Sequence, residues 1–245
     1  MKIISIVERI TNNMSRKIKL CKDPYDCGFD LFKKRIIEIK EGITVLVGCN
    51  GIGKSTLLHY IEKTLDKKNI PYVKFDNLHD GGSRAKEKSL FNDDFRFFAT
   101  SFYSSEGENI MLNMAKMLGK IGTFLKTGKY KTKESELKSF LEEATGFESD
   151  NNEKLSKERW FLFDAVDSGL SIDNIVDLKE YLFKPVFEHF LENEIYIIIS
   201  ANGYEMANGE QCLDVYNGRY VTFNNYDEYR NMILESRRWK EERSK

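Results

Sequence analysis

The chain has 245 residues, 41% of them hydrophobic and 31% charged, with a formal net charge of −1. That hydrophobic content is ample for a core, and the length suits a globular α/β domain, alone or with an inserted lobe. A balance so close to neutral excludes a global positive field, so any nucleic-acid contact has to be local.

No apolar stretch approaches the roughly 20 residues that a membrane-spanning helix needs. The first residues, Met1 to Ser5, run into strand-like sequence rather than a signal peptide, so a cytosolic protein with no membrane contact is expected. The cysteines, Cys21, Cys27, Cys49 and Cys212, lack the paired short spacings of a zinc site and read as free thiols.

In chain order, residues 2–10 and 29–40 alternate apolar with polar side chains, and turn residues at 23–28 separate them. The pattern predicts an antiparallel β-ribbon. Tyr25, Phe29 and Phe32 in this region are either buried strand aromatics or a platform for an adenine ring.

The stretch that follows organises the chain. An apolar run at 43–47 leads into Gly48-Cys49-Asn50-Gly51-Ile52-Gly53-Lys54-Ser55-Thr56 and then into a helical pattern to Lys67. This is the P-loop spacing, in the strand-to-helix context that the motif requires. The glycines let the backbone curl so that its N–H groups point inward, and the positive end of the helix faces the same hollow. A triphosphate fits there. Lys54 supplies a point charge for the β- and γ-phosphates, and the Ser55 hydroxyl is placed to ligate Mg2+.

A short strand at 71–75 opens onto a polar, charged segment at 78–88. In it and just before it, Asn77, His79 and Asp80 are candidates for touching magnesium or an attacking water, or else belong to a solvated loop. Beyond an aromatic run at 97–103, Ser104-Ser105-Glu106-Gly107-Glu108 precedes Ile110, Met114, Met117, Leu118 and Ile121 at helical spacing. The Ser105 hydroxyl and the first-turn N–H groups of that helix form an anion site. Residues 120–157 are basic first and acidic later, which is either a solvated face or a contact surface for DNA or a protein partner.

Trp160-Phe161-Leu162-Phe163 then reads as a buried strand delivering Asp164 at its end, followed by Ala165-Val166-Asp167-Ser168-Gly169-Leu170-Ser171. A carboxylate in that position can hold the magnesium shell opposite Ser55. Residues 171–190 are helical with a break expected at Pro185, and residues 194–200 form another buried strand whose edge carries Asn202. Segments 213–216 and 219–223 flank Asn217-Gly218, a hairpin signal, and Asn225 caps a charged helix over 226–242.

Taken in this order, the phosphate loop, the serine-glycine turn at 104–108 and Asp164 with the 168–171 loop resemble ATP-binding-cassette (ABC) ATPases. The likeness is to soluble members: the heads of SMC and DNA-repair ATPases and the small stand-alone ATPases labelled AAA family in bacteriophage genomes. It spans residues 2–204 and implies a P-loop NTPase, an ABC-ATPase-like core with an N-terminal antiparallel β-ribbon and a helical lobe. All of 1–245 would form one domain, with 78–158 as the helical lobe and charged insertion and 210–245 as a C-terminal hairpin and helix. The resemblance implies that Ser105 and Gly107 close over the γ-phosphate held by a partner subunit, sandwiching ATP in a head-to-tail homodimer.

The departures shape the expected activity. Where hydrolytic members carry a water-polarising glutamate after the magnesium aspartate, this chain has Ala165. A positioned general base contributes ~10²–10⁴-fold, so hydrolysis should be slow. Asp167 is the candidate substitute, although two residues along a strand end displace it by about 6–7 Å. Asn202 stands where a switch histidine is expected and can still hydrogen-bond a γ-phosphate. Glu106 replaces a signature glycine. The primary expectation is a slowly hydrolysing ATPase acting in nucleic-acid metabolism. The alternatives are an ATP-dependent clamp with negligible hydrolysis, and a P-loop nucleotide or polynucleotide kinase using Arg84 and Arg96.

Overall fold

A computed structural model describes residues 15–20, 31–76, 121–128, 156–189 and 193–243. Within these, alternating and continuous apolar runs produce two different sheets. The first is a ribbon in which β1 (Ser15–Lys19) pairs antiparallel with β2 (Ile36–Lys40), Ile18 lying opposite Ile37. Period-two alternation puts Ile37 and Ile39 inward, while Ile36 and Glu38 face out. The sequence places the partner strand at 2–10, which lies outside the described residues. The observed partner is Ser15–Lys19, and among the described residues of the second arm the strand runs over Ile36–Lys40. Ser15-Arg16-Lys17-Ile18-Lys19 is four-fifths polar, so its pattern alone carries little strand signal. The ribbon's buried face and an ion pair between Arg16 and Glu158 hold it down.

The second sheet has six strands: β3 (Gly42–Val47), β4 (Tyr72–Asp76), β5 (Glu158–Asp164), β6 (Glu194–Ser200), β7 (Gln211–Asp214) and β8 (Arg219–Val221). Their order is β4-β5-β6-β3-β7-β8, and every neighbouring pair is parallel except β7 with β8. The chain is therefore an α/β protein with a mostly parallel sheet. A parallel sheet needs cover on both faces, which is why the central strands read as unbroken apolar runs. Leu46, Trp160, Leu162, Tyr196 and Ile198 face the ribbon and helix α1 (Lys54–Lys67). Val45, Val47, Phe161, Phe163, Ile197 and Ile199 face the opposite layer.

That opposite layer holds Phe124 and Leu125 of the helical residues 121–127, helix α2 (Ile172–Leu178), a π-helical turn (Lys179–Phe183), helix α3 (Lys184–His189) and the short helix α4 (Tyr204–Ala207). The break expected at Pro185 appears as this π turn immediately before it. Proline lacks an N–H to donate to the preceding turn, and a local widening absorbs the missing bond. The rest of the predicted 78–158 lobe lies outside the described residues.

The hairpin differs in register from the expectation. Asp214 pairs with Arg219, so the connection is four residues rather than the two of an Asn-Gly turn. Asp214 accepts bonds from the backbone and side-chain nitrogens of Asn217, at 3.2 and 2.7 Å, and its carbonyl takes the Gly218 N–H at 2.8 Å. A carboxylate that closes the loop through its side chain favours this wider turn. Parallel pairing of Asp214 with Val47 fixes the strand end. The final helix, α5 (Tyr226–Arg243), begins where expected: Asn225 Oδ1 accepts the Glu228 N–H at 3.0 Å. Among the described residues no helix is long and apolar enough to cross a membrane.

Candidate functional site

The carboxyl ends of β3, β5 and β6 lie side by side, because β6 is interposed between the other two. In an open parallel sheet this edge is where ligands bind. The loop after β3 carries Gly48, Cys49, Asn50, Gly51, Ile52 and Gly53. Gly48 holds φ 143°, and a Cβ there would stand 2.9 Å from Ile52 Cγ2, so no other residue fits the turn. Gly53, also at positive φ, is the N-cap of α1, with the ring of Phe32 against it. Of the three aromatics considered for stacking, Phe32 is thus beside the loop; Tyr25 and Phe29 lie outside the described residues.

Lys54, the first residue of α1, is buried inside the loop. Its Nζ donates to the Gly48 carbonyl at 2.8 Å and the Cys49 carbonyl at 3.4 Å. Burial pulls its pKa below the ordinary lysine range, and the nearby Cys49, Asp167 and Asp164 oppose that pull. Ser55 follows at the open rim and Thr56 behind it. The Ser55 hydroxyl donates to Asp164 Oδ1 at 3.1 Å, so two residues far apart in sequence are brought together.

Asp167 is better placed than strand geometry suggests. The strand ends at Asp164, and Ala165 takes φ 50°, a left-handed conformation that turns the chain back. Asp167 is consequently buried beneath the β6 edge. Its Oδ2 accepts the N–H groups of Asn202 at 2.7 Å and Gly203 at 2.6 Å. Its Oδ1 is buried with no hydrogen-bond partner. The chain turns at Ala165 instead of continuing the strand, and the Asp167 carboxylate lies near enough to Lys54 to act on its ammonium. Asn202 is exposed, and its backbone is held from two sides: by Asp167 and by the Tyr229 hydroxyl, which donates to its carbonyl at 2.8 Å. Burial raises the pKa of Tyr229, with Asp167 adding to the effect.

Helix α5 is the component that the sequence did not announce as part of the site. The Cys49 N–H donates to Ser236 Oγ at 2.8 Å, and Lys240 Nζ donates to the Asn50 carbonyl at 2.9 Å. The signal was the spacing of Tyr229, Ile233, Ser236 and Lys240, which puts one contacting face on a helix that otherwise reads as uniformly charged. A cavity of about 540 Å³ lies between the loop and α5, lined by Gly48, Asn50, Asn202, Ile233, Arg237 and Lys240 among others.

These residues fit a magnesium-bound triphosphate. The Ser55 hydroxyl and Asp164 carboxylate are hard oxygen donors set side by side, and the orphaned Asp167 Oδ1 lacks a donor. Magnesium is commonly held by one or two protein groups plus phosphate and water. Among the described residues no group of three or more His, Cys, Asp or Glu is placed to hold a metal ion. Ser105, Gly107, Asn77, His79, Asp80, Arg84 and Arg96 lie outside the described residues, as do 129–155 of the 120–157 contact segment.

Comparison of the chain with protein-family models and with curated proteins returns no match in either case.

Proposed function

We propose that the chain is a soluble, cytosolic ABC-type ATPase that binds Mg2+ and ATP in the loop from Gly48 to Thr56. On binding ATP it forms a head-to-tail homodimer and hydrolyses it slowly. The observation that carries this reading is the convergence at one sheet edge of buried Lys54, the Ser55–Asp164 pair and Asp167, which grips the Asn202 loop. Backbone N–H groups of residues 51–55 and the Lys54 ammonium would bind the phosphates. Ser55 and Asp164 would hold the magnesium, which when bound neutralises charge on the β- and γ-phosphates. Asn202 would hydrogen-bond the terminal phosphate.

One oxygen of Asp167 is committed to two backbone amides, which leaves Oδ1 alone to orient a water. That supports slow hydrolysis, since Ala165 offers no acid or base. The same commitment favours a second reading, an ATP-driven clamp whose assembly outlasts turnover. A setting in nucleic-acid metabolism is proposed from the resemblance to soluble cassette ATPases.

Light scattering with no nucleotide, with ATP and magnesium, and with Lys54→Ala tests the reading. A doubling of mass on ATP that Lys54→Ala abolishes supports it, and phosphate release in the same samples separates ATPase from clamp. A chain that stays monomeric with ATP bound refutes the sandwich.

A further inference from the structure

The β1–β2 ribbon carries a charge that the chain as a whole does not. The net charge of the chain is −1, yet residues 15–20 and 31–40 hold seven cations and a single carboxylate, Glu38, which accepts the Ser15 hydroxyl. Two of the cations are committed. Arg16 is ion-paired with Glu158, and the Lys40 ammonium lies 4.6 Å from the centre of the Tyr220 ring. The other five, Lys17, Lys19, Lys33, Lys34 and Arg35, are exposed. Among the described residues none of these five forms an ion pair. Lys34 donates to the Gly218 carbonyl at 3.2 Å, a neutral acceptor that leaves its charge uncompensated.

The pleat separates the two faces of the ribbon. Ile18, Ile37 and Ile39 are buried in the core, and Arg16 is tied through the Glu158 carboxylate to the Trp160 indole, which donates to it at 2.8 Å. With the inner face sealed in this way, Lys17 and Lys19 stand on the outer one, about 7 Å apart along the strand. Lys33, Lys34 and Arg35 extend the patch past the start of β2. The Leu20 N–H donates to the Arg35 carbonyl at 2.8 Å, the Lys33 N–H to the Tyr216 carbonyl at 2.9 Å, and Arg243 to the Leu31 carbonyl at 2.9 Å, so the backbone that carries them is held in place. Like charges fixed close together repel one another, and a partner of opposite charge relieves that repulsion.

A row of fixed cations is complementary to a polyanion. Duplex DNA carries one negative charge per about 1.7 Å of its axis, and cations that neutralise its phosphates release condensed counterions. A two-stranded β-ribbon has a width that the DNA major groove admits, so cations on its outer face reach the flanking phosphates. A membrane surface is a poorer match, because peripheral binding inserts an apolar face, and Ile36 is the one exposed large hydrophobic side chain among the described residues of the ribbon. We propose that the outer face of the ribbon, with Lys17, Lys19, Lys33, Lys34 and Arg35, is a docking surface for duplex DNA that grips phosphates and reads no bases. This puts the nucleic-acid contact on the ribbon rather than in the charged segment 120–157, and it stands apart from the ATP reading.

Fluorescence anisotropy of a labelled duplex titrated with the full chain, from about 50 to 200 mM salt, tests this. Five phosphate contacts give a slope of log affinity against log salt of about −4 to −5, a fall on the order of 10²–10³-fold over that range. Two paired variants, Lys17→Gln with Lys19→Gln and Lys33→Gln with Lys34→Gln, are each expected to reduce the slope by about 2 and to weaken binding on the order of ten- to hundredfold at about 100 mM salt. The losses should be equal for duplexes of unrelated sequence. Lys126→Gln, an exposed position among the helical residues on the opposite layer, should change neither quantity. A parent that fails to bind duplex at 50 mM salt overturns the proposal, as do paired variants that keep the parent's slope and affinity. A loss confined to Lys126→Gln would put the contact in the 120–157 segment, and anionic phospholipid vesicles bound more tightly than duplex, and released by the paired variants, would make the face a membrane surface; either result also overturns it. The four ribbon positions are exposed, and thermal melts establish that each variant is folded.

Discussion

Replacing Asp167 by asparagine should cost the free protein about 2–4 kcal/mol, most of it at the β6 edge. The carboxylate accepts two backbone N–H groups, at 2.7 and 2.6 Å, on a single oxygen. Bonds to a charged group contribute about 1.5–3 kcal/mol each against about 0.5–1.5 for neutral ones, so neutralising the acceptor loses about 2 kcal/mol over the pair. The second oxygen, buried with no hydrogen-bond partner, becomes an NH₂ whose donors must be taken out of water, at about 1–3 kcal/mol. Removing a buried charge recovers part of this, while Lys54 loses an attractive neighbour. For a domain of this size each kcal/mol moves Tm by about 2–4 °C, so a fall of about 4–16 °C is expected. Urea unfolding read by linear extrapolation gives the global figure. Hydrogen exchange at the Asn202 and Gly203 amides gives the local one, and both amides should exchange faster in Asp167→Asn. A variant within about 0.5 kcal/mol of the parent, with both amides exchanging as before, would refute the role assigned to this carboxylate.

Three further perturbations test other joints of the site. Ser236→Ala leaves the Cys49 N–H without its acceptor and should cost about 1–3 kcal/mol in urea unfolding, with faster exchange at Cys49 and little change at Trp160. Lys54 has its pKa lowered by burial, so between that lowered value and the ordinary 10.5 the unfolded chain binds more protons than the folded one. Stability should therefore rise with pH through that window, and Lys54→Met should flatten the rise when unfolding is followed from pH 7 to 10.5. The Cys212 thiol is pushed up to about 12 by burial. Here the folded chain keeps its proton longer, so stability falls between pH 9 and about 12; Cys212→Val should remove that fall, and native Cys212 should resist iodoacetamide at pH 8.

Ala165 supplies a separate test of backbone strain. It occupies φ 50°, where a residue with a Cβ is strained by about 1–2 kcal/mol and glycine is not. After the added entropy of glycine in the unfolded chain, about 0.5–1 kcal/mol, Ala165→Gly should unfold at the same or slightly higher urea concentration. A marked loss would mean that the turn does not need the left-handed conformation.

The chain's order of residues determined the local chemistry by itself. Short, β-branched apolar runs such as Ile195 to Ile199 read as strands buried on both faces, and the glycine spacing before Lys54, between an apolar run and a helical pattern, specifies a strand, a curled loop and a helix. Asn225 as a cap and the break near Pro185 were equally legible, because each depends on neighbours a few residues away. What depends on distance was not. The Ser55–Asp164 contact was inferable only as a pairing of motifs, and its 3.1 Å approach comes from β6 separating β3 and β5 at one edge. The grip of Asp167 on the Asn202 loop follows from a left-handed turn at an alanine, which no propensity forecasts. The polar β1 became a strand through packing, and the four-residue turn after Asp214 reflects pairing with β3 rather than the Asn-Gly signal. Helix α5, whose charged sequence reads as solvated, became a wall of the site because Ser236 and Lys240 find acceptors and donors in a loop nearly 190 residues earlier, at |i−j| of 187 and 190. Sequence periodicity reports which face of an element is apolar, whereas the identity of the element it meets is set only when the sheet closes and buried polar groups must find partners.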